Sequence, residues 1–148
     1  MANKPISIDV EFNVEFYDVD SMQIVWHGNY VKYMEVARCA LLTALHYHYL
    51  DMEKSGYAWP VVEIKLKYIR SLRFMQRVRI TATLLEYENC LKIAYVFRDA
   101  ESGTVLNKAE SMQMAVDIKT MESCFVSPSC FIDRVHEYIK KQEENTDA

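Results

Sequence analysis

Two aspartates and a histidine stand close together in the run FYDVDSMQIVWHGNYVKYMEVAR at positions 16–38. Asp18 and Asp20 fall just past a strictly alternating segment, and His27 follows Asp20 by seven positions. Gly28 and Asn29 come next, directly before a helical pattern. A carboxylate can draw a proton from water or attack a carbonyl carbon itself. Free backbone N–H groups at the start of a helix can hold the negative charge that then grows on the carbonyl oxygen. A strand ending at the aspartates and a helix beginning near His27 can bring these groups to one place. An aspartate after a strand is also a common turn residue, so the pair has to be weighed with the elements around it.

Residues 6–16 alternate, with Ile6, Ile8, Val10, Phe12, Val14 and Phe16 on one side, which predicts a half-buried strand. Tyr30, Tyr33, Met34, Ala37, Ala40, Leu41, Ala44 and Leu45 recur at spacings of three and four, the apolar face of one long helix. Asn29 is the expected N-cap, with the boundary open by a few residues. His46-Tyr47-His48-Tyr49 is expected to pack at the helix end, with an acyl-pocket wall as the second reading, and Ser55-Gly56 breaks the pattern.

Four alternating segments follow. Their faces carry Val62, Ile64, Leu66 and Tyr68; Val78, Ile80, Ala82 and Leu84; Leu91, Ile93, Tyr95 and Phe97; and Met112, Met114, Val116 and Ile118. The methionines are expected in the core. Turns at Glu88-Asn89 and Glu101-Ser102-Gly103 imply antiparallel neighbours. A short amphipathic segment with Ile132, Val135, Tyr138 and Ile139 comes after Pro128, and residues 1–5 and the polar residues 141–148 are expected to fray. The sum is one α+β domain over 1–148. A single helix does not cover both faces of a broad sheet, so the sheet is expected to wrap the helix and a second subunit to help cover it.

The bulk numbers remove several classes. A net charge of −4 gives no basic balance for nucleic acid. The start MANKPISID lacks the apolar core of a signal peptide, and no apolar run approaches the ~20 residues of a membrane span. Cys39, Cys90, Cys124 and Cys130 show no paired spacing, so free thiols in a reducing cytoplasm are expected rather than a metal cluster or disulfide framework.

The element order and the 16–38 stretch together resemble the hotdog fold, a curved antiparallel sheet wrapped around one long central helix. More narrowly, they resemble the small acyl-CoA thioesterases of the 4-hydroxybenzoyl-CoA thioesterase family. The similarity rests on Asp18-Val19-Asp20, a three-residue spacer, Ile24-Val25, Trp26-His27, Gly28-Asn29-Tyr30, Tyr33 and Glu35-Val36-Ala37-Arg38, and extends over about residues 8–135. A weaker similarity is Tyr68-Ile69-Arg70-Ser71, where the family has Y-x-R-P. Two departures stand out: Ser21-Met22-Gln23 lacks the family's spacer glycine, and Met75-Gln76 replaces an acidic or Gly-Asp pair.

The resemblance implies an enzyme that hydrolyses an acyl-CoA thioester to a free acid and coenzyme A. Asp20 would be the general base or the nucleophile. The backbone N–H at His27 would polarise the carbonyl, and the His27 side chain has either a structural role or a share in the chemistry. Tyr30 would touch substrate. Arg70 and Arg73 would meet the coenzyme phosphates, although a cluster such as Arg70, Arg73, Arg77 and Arg79 is more often the solvated face of an alternating strand. Asp18 is expected to serve the turn, and Glu35 and Arg38 to pair on the helix. No metal or redox cofactor is implied. The expected assembly is a homodimer or homotetramer with the site at the subunit interface. Two alternatives remain: an enoyl-CoA hydratase, disfavoured by the six residues between Asp20 and His27, and a non-catalytic module binding acyl-CoA or an acyl carrier protein.

Overall fold

The computed structural model describes residues 5–146. Seven strands and three helices follow in the order β1 (Ser7–Asn13), α1 (Asn29–Ala44), α2 (Tyr49–Ser55), β2 (Tyr57–Ala58), β3 (Val61–Tyr68), β4 (Arg77–Glu86), β5 (Leu91–Asp99), β6 (Val105–Gln113), β7 (Val116–Asp117) and α3 (Ser129–Thr146). Five strands form an antiparallel sheet in the order β1-β4-β5-β6-β3, and β2 pairs with β7 separately. The class is α+β, as the alternation and the single long helical pattern predict.

Helix α1 packs against β1, β4 and β5. Its buried face is Tyr30, Tyr33, Met34, Ala37, Leu41 and Leu42, and the sheet answers with Val78, Ile80, Ala82, Ile93, Tyr95 and Phe97. Phe12 of β1 stacks on Tyr33 at 4.3 Å between ring centroids. Register follows the same face, since Val10 opposes Ile80 and Phe12 opposes Val78. The helix ends where His46 turns left-handed at φ 57°, and the N–H of Tyr47 returns to the Leu42 carbonyl at 2.9 Å.

Several expectations are corrected. Strand β1 stops at Asn13, and Phe16–Asp18 is a single 3-10 turn, so Phe16 is exposed despite its alternating position. The N-cap of α1 is Gly28, and Asn29 is the first helical residue. His48 opens a second helix: its Nδ1 accepts the Leu50 N–H at 3.1 Å, Asp51 accepts the His48 N–H at 3.2 Å, and Gly56 closes the helix at φ 86°. The inner face of β6 is polar. Asn107, Ser111 and Gln113 are buried there, while Met112 and Met114 are only half-buried. Helix α3 runs on through residues 141–146, and residues 1–4 and 147–148 lie outside the described residues.

The far end of the core is an aromatic nest. Trp59 and Phe131 meet at 5.0 Å, Tyr47 and Phe131 at 5.4 Å, and the Trp59 indole N–H donates to the Tyr47 hydroxyl at 3.0 Å. Burial pushes the Tyr47 hydroxyl up to about 12. Strand β3 closes one side of the sheet with no further strand beyond it among the described residues, and Val62, Ile64 and Tyr68 are exposed along it. Among the described residues no helix is long and apolar enough to cross a membrane. The four cysteines are free.

Leu41 is fully buried between α1 and the sheet, whereas Leu50 is 60% exposed. Leu41→Ala is expected to cost about 2–5 kcal/mol in urea unfolding, and Leu50→Ala to change stability by less than about 0.5 kcal/mol.

Candidate active site

Past β1 the chain folds into a knot of hydrogen bonds that ties the segment before Asp20 to the start of α1. The Asp18 side chain accepts the Glu15 N–H at 3.0 Å and closes the 3-10 turn. Val19 and Val25 then bridge as the base of a narrow hairpin. Within it the Asp20 N–H donates to the Ile24 carbonyl at 2.8 Å, and the Gln23 N–H returns to the Asp20 carbonyl at 3.0 Å. One carboxylate oxygen of Asp20 accepts the Met22 N–H at 2.8 Å, which fixes the side chain. Asp20 is half-buried and forms no ion pair among the described residues.

Two bonds converge on the Asp18 carbonyl oxygen: the Trp26 N–H at 3.0 Å and the Asn29 side-chain amide at 2.8 Å. They draw the helix start onto the aspartate turn. A third segment locks both. The Val25 N–H donates to the Leu72 carbonyl at 2.8 Å, and the Leu72 N–H donates to the Tyr30 hydroxyl at 3.3 Å.

The helix opens without a side-chain cap. Among the described residues no acceptor meets the backbone N–H groups of His27 and Gly28. These donors stand at the positive end of a 16-residue helix. A Cβ on Gly28 would lie 2.3 Å from the Trp26 ring, so the missing side chain lets Trp26 fold over this corner. The His27 side chain is exposed and lies against Trp26 at 5.0 Å, while the His27 carbonyl accepts the Tyr68 hydroxyl at 3.5 Å.

The residues singled out from sequence separate into groups. Asp20 lies in the hairpin, and His27 lies just before the helix start to which the hairpin is bonded. Arg70 and Arg73 line a cleft of ≈ 520 Å³ beside it, together with Ile24, Gln76, Asp99 and Thr104. Arg77 and Arg79 instead clasp Glu11 on the outer face of the sheet at 3.2 and 3.1 Å. Tyr30 is 2% exposed and belongs to the core, where its hydroxyl holds the 70–76 loop. Glu35 and Arg38 pair on α1, and Tyr49 donates to Glu35 at 3.1 Å. Burial, and then the neighbouring Asp18 carboxylate, push the Tyr33 hydroxyl far up, so it remains a neutral phenol.

Sequence reasoning missed the Tyr68 contact and the part played by the β5–β6 turn. Asp99 in that turn accepts the Gln76 side chain at 2.9 Å, and Gln76 in turn accepts the Arg73 N–H at 3.0 Å. The Gln76 donor, followed by the turn N–H groups of Ser102 and Glu101, holds the Asp99 carboxyl below its usual range.

The two departures from the family pattern coincide with two unusual backbone positions. Gln23, in the spacer that lacks glycine, has φ 66°, and Met75, where the Gly-Asp pair is expected, has φ 69°. Side chains in this region cost about 1–2 kcal/mol relative to glycine.

The model of the thioesterase-like superfamily matches residues 14–135. The chain belongs to that superfamily, and it is an enzyme of the thioesterase kind. It is 36% identical over 108 residues to YneP of Bacillus subtilis (strain 168), a protein provisionally named an acyl-CoA thioesterase, covering 72% of this chain and 78% of YneP. Among solved structures, a DHNA-CoA thioesterase from Staphylococcus aureus superposes with TM-score 0.78 at 22% identity, over 95% of this chain and 93% of that one. The protein SAV2348 from Staphylococcus aureus, solved in complex with CoA, superposes with TM-score 0.80 at 18% identity, over 95% of this chain and 87% of that one. At these identities the solved structures establish the hotdog fold.

Removing the Asn29 amide should loosen the knot: Asn29→Ala is expected to lower stability by about 1–2 kcal/mol and to speed hydrogen exchange at the Trp26 amide. Gln23→Gly should raise the melting temperature, the relief of about 1–2 kcal/mol being partly offset by the greater freedom of glycine in the unfolded chain. Calorimetry of both variants checks the pair.

Proposed function

We propose that the protein hydrolyses an acyl-CoA thioester, with Asp20 as the carboxylate that opens the reaction and the start of α1 as its oxyanion site. The observation that carries this reading is the junction itself. A carboxylate oriented through one oxygen stands in a hairpin bonded to a helix start, where the N–H groups of His27 and Gly28 just before the first helical residue meet no acceptor among the described residues. Attack on the thioester carbonyl turns its oxygen into an oxyanion, and donors aimed there favour the transition state over the bound substrate. Asp20 either takes the proton of the attacking water, so that the tetrahedral adduct collapses with loss of the coenzyme thiolate, or adds to the carbonyl itself and forms an anhydride that water then opens. Either route needs a positioned, charged carboxylate. The His27 side chain, exposed at the mouth, is available to orient water.

The cleft lined by Arg70 and Arg73 supports the coenzyme side of the reading. Neither guanidinium has a carboxylate partner among the described residues, unlike Arg77 and Arg79. Arginine forks suit phosphate oxygens. Tyr30 contributes from beneath, by fixing the loop that carries both arginines.

The assembly follows from β3. An eight-residue edge strand with exposed apolar side chains is a ready template for a second strand. A two-fold axis through this edge pairs it with its own copy in antiparallel fashion. The amino end of the copy's strand then runs beside Tyr68, and therefore beside the His27 carbonyl, so that each site is walled by two subunits. Pairing of such dimers would give the tetramer. The free thiols support a reducing, cytoplasmic setting.

Thiol release from short, medium, long and aromatic acyl-CoAs tests the reading. Asp20→Asn is expected to lower kcat by about 10²-fold or more with the fold intact. Equal rates in both proteins would remove Asp20 from the chemistry, and binding without turnover in the wild type would leave a binding module. Arg70→Ala with Arg73→Ala should raise KM for acyl-CoA while leaving its small pantetheine analogues unaffected. Ile64→Lys should shift the sedimentation coefficient to that of a single subunit.

A further inference from the structure

Asn107 stands on the inner face of β6 at 0% exposure. Neither its side-chain nitrogen nor its oxygen has a hydrogen-bond partner, and among the described residues it is the one side-chain amide left unpaired at both ends. Buried polar groups without partners are rare, because folding strips their water and returns nothing.

Its neighbours fix where the amide lies. In register it opposes Phe97 of β5 on one side and Tyr68 of β3 on the other, and opposed residues share a face. Tyr30 meets both, at 4.9 Å from the Tyr68 ring and 5.8 Å from the Phe97 ring. Adjacent strands lie about 4.8 Å apart, so a ring that reaches β3 and β5 together lies across β6, over Asn107.

The two rings of this roof differ. Tyr30 is anchored in the core by the Leu72 N–H. Tyr68 is 51% exposed on the edge strand, and its hydroxyl is held only by the His27 carbonyl at 3.5 Å. Rotation of the Tyr68 side chain uncovers the β3 side of Asn107, next to the helix start.

We propose that Asn107 is a specificity-determining residue, whose carboxamide hydrogen-bonds a hydroxyl or oxo group borne by the acyl chain near the thioester carbonyl. An amide offers both a donor and an acceptor, so a hydroxyl can satisfy either end and an oxo group the donor. A plain alkyl or aryl chain satisfies neither, and the enzyme keeps the full cost of the unpaired amide. The inference rests on the thioesterase reading and narrows its substrate class to polar-substituted acyl groups.

Initial rates of thiol release from 3-hydroxybutyryl-CoA against butyryl-CoA, and from salicyl-CoA against benzoyl-CoA, test it on the full chain. The wild type is expected to favour the hydroxylated member of at least one pair by about tenfold or more in kcat/KM. Asn107→Leu should abolish that preference and melt no lower than the wild type, because it removes two unpaired buried atoms. A variant that melts lower and keeps the preference would make Asn107 a structural residue and overturn the inference. A wild type that hydrolyses both members of both pairs equally would overturn it as well, whether or not the variant folds. No thiol release from any of the four would instead strike the thioesterase reading itself, and the inference with it.

Discussion

The Asp18 carbonyl oxygen is the point on which the candidate site turns. A loop between a strand and a helix has no reason to hold one shape unless its backbone groups find partners. Here one acceptor takes both the Trp26 N–H and the Asn29 amide, so the chain entering the turn and the chain leaving it are bound at a single atom. Asp20, two residues on, inherits a fixed place relative to the helix without touching it through its own side chain. The asparagine at the first helical position therefore acts as a clasp to the preceding turn, and capping is left to glycine.

Charge is sorted by the same economy. Four arginines fall within ten positions of the sequence, and the fold divides them between two tasks. Those on β4 face Glu11 across the strand pair and neutralise it on an open surface, where such pairs add little to stability. Those on the loop before β4 have no such partner and point their charge to the cleft. The loop is held from below by Tyr30 and from the side by the Gln76–Asp99 link, so its cations are presented on a braced backbone.

Most of the sheet and the whole of α1 were legible, because period-two and period-four patterns record which face is buried. The failures have physical causes. Phe16 continues an alternation that the backbone has already abandoned, since the Asp18 carboxylate closes a 3-10 turn there. On β6 the inner face carries Asn107, Ser111 and Gln113 beside Ala109, polar side chains that no apolar alternation signals and that only register with β3 and β5 reveals. Asp20 and His27 were legible as a motif, and Arg70 and Arg73 as cations. The brace behind them, built of Gln76, Asp99 and Tyr68, was not, because its members are far apart in the chain and ordinary in type.

The left-handed residues at Gln23 and Met75 bear on how the enzyme ages under heat. They lie in the two loops that meet beside Asp20, and both are conformations the rest of the chain must hold in place. Segments of this kind open locally at lower free energy than the strands and helix behind them. By that principle these loops are the segments expected to open ahead of the sheet on warming. Relaxing either turn would then raise the resistance of this corner to heat together with the stability of the whole chain.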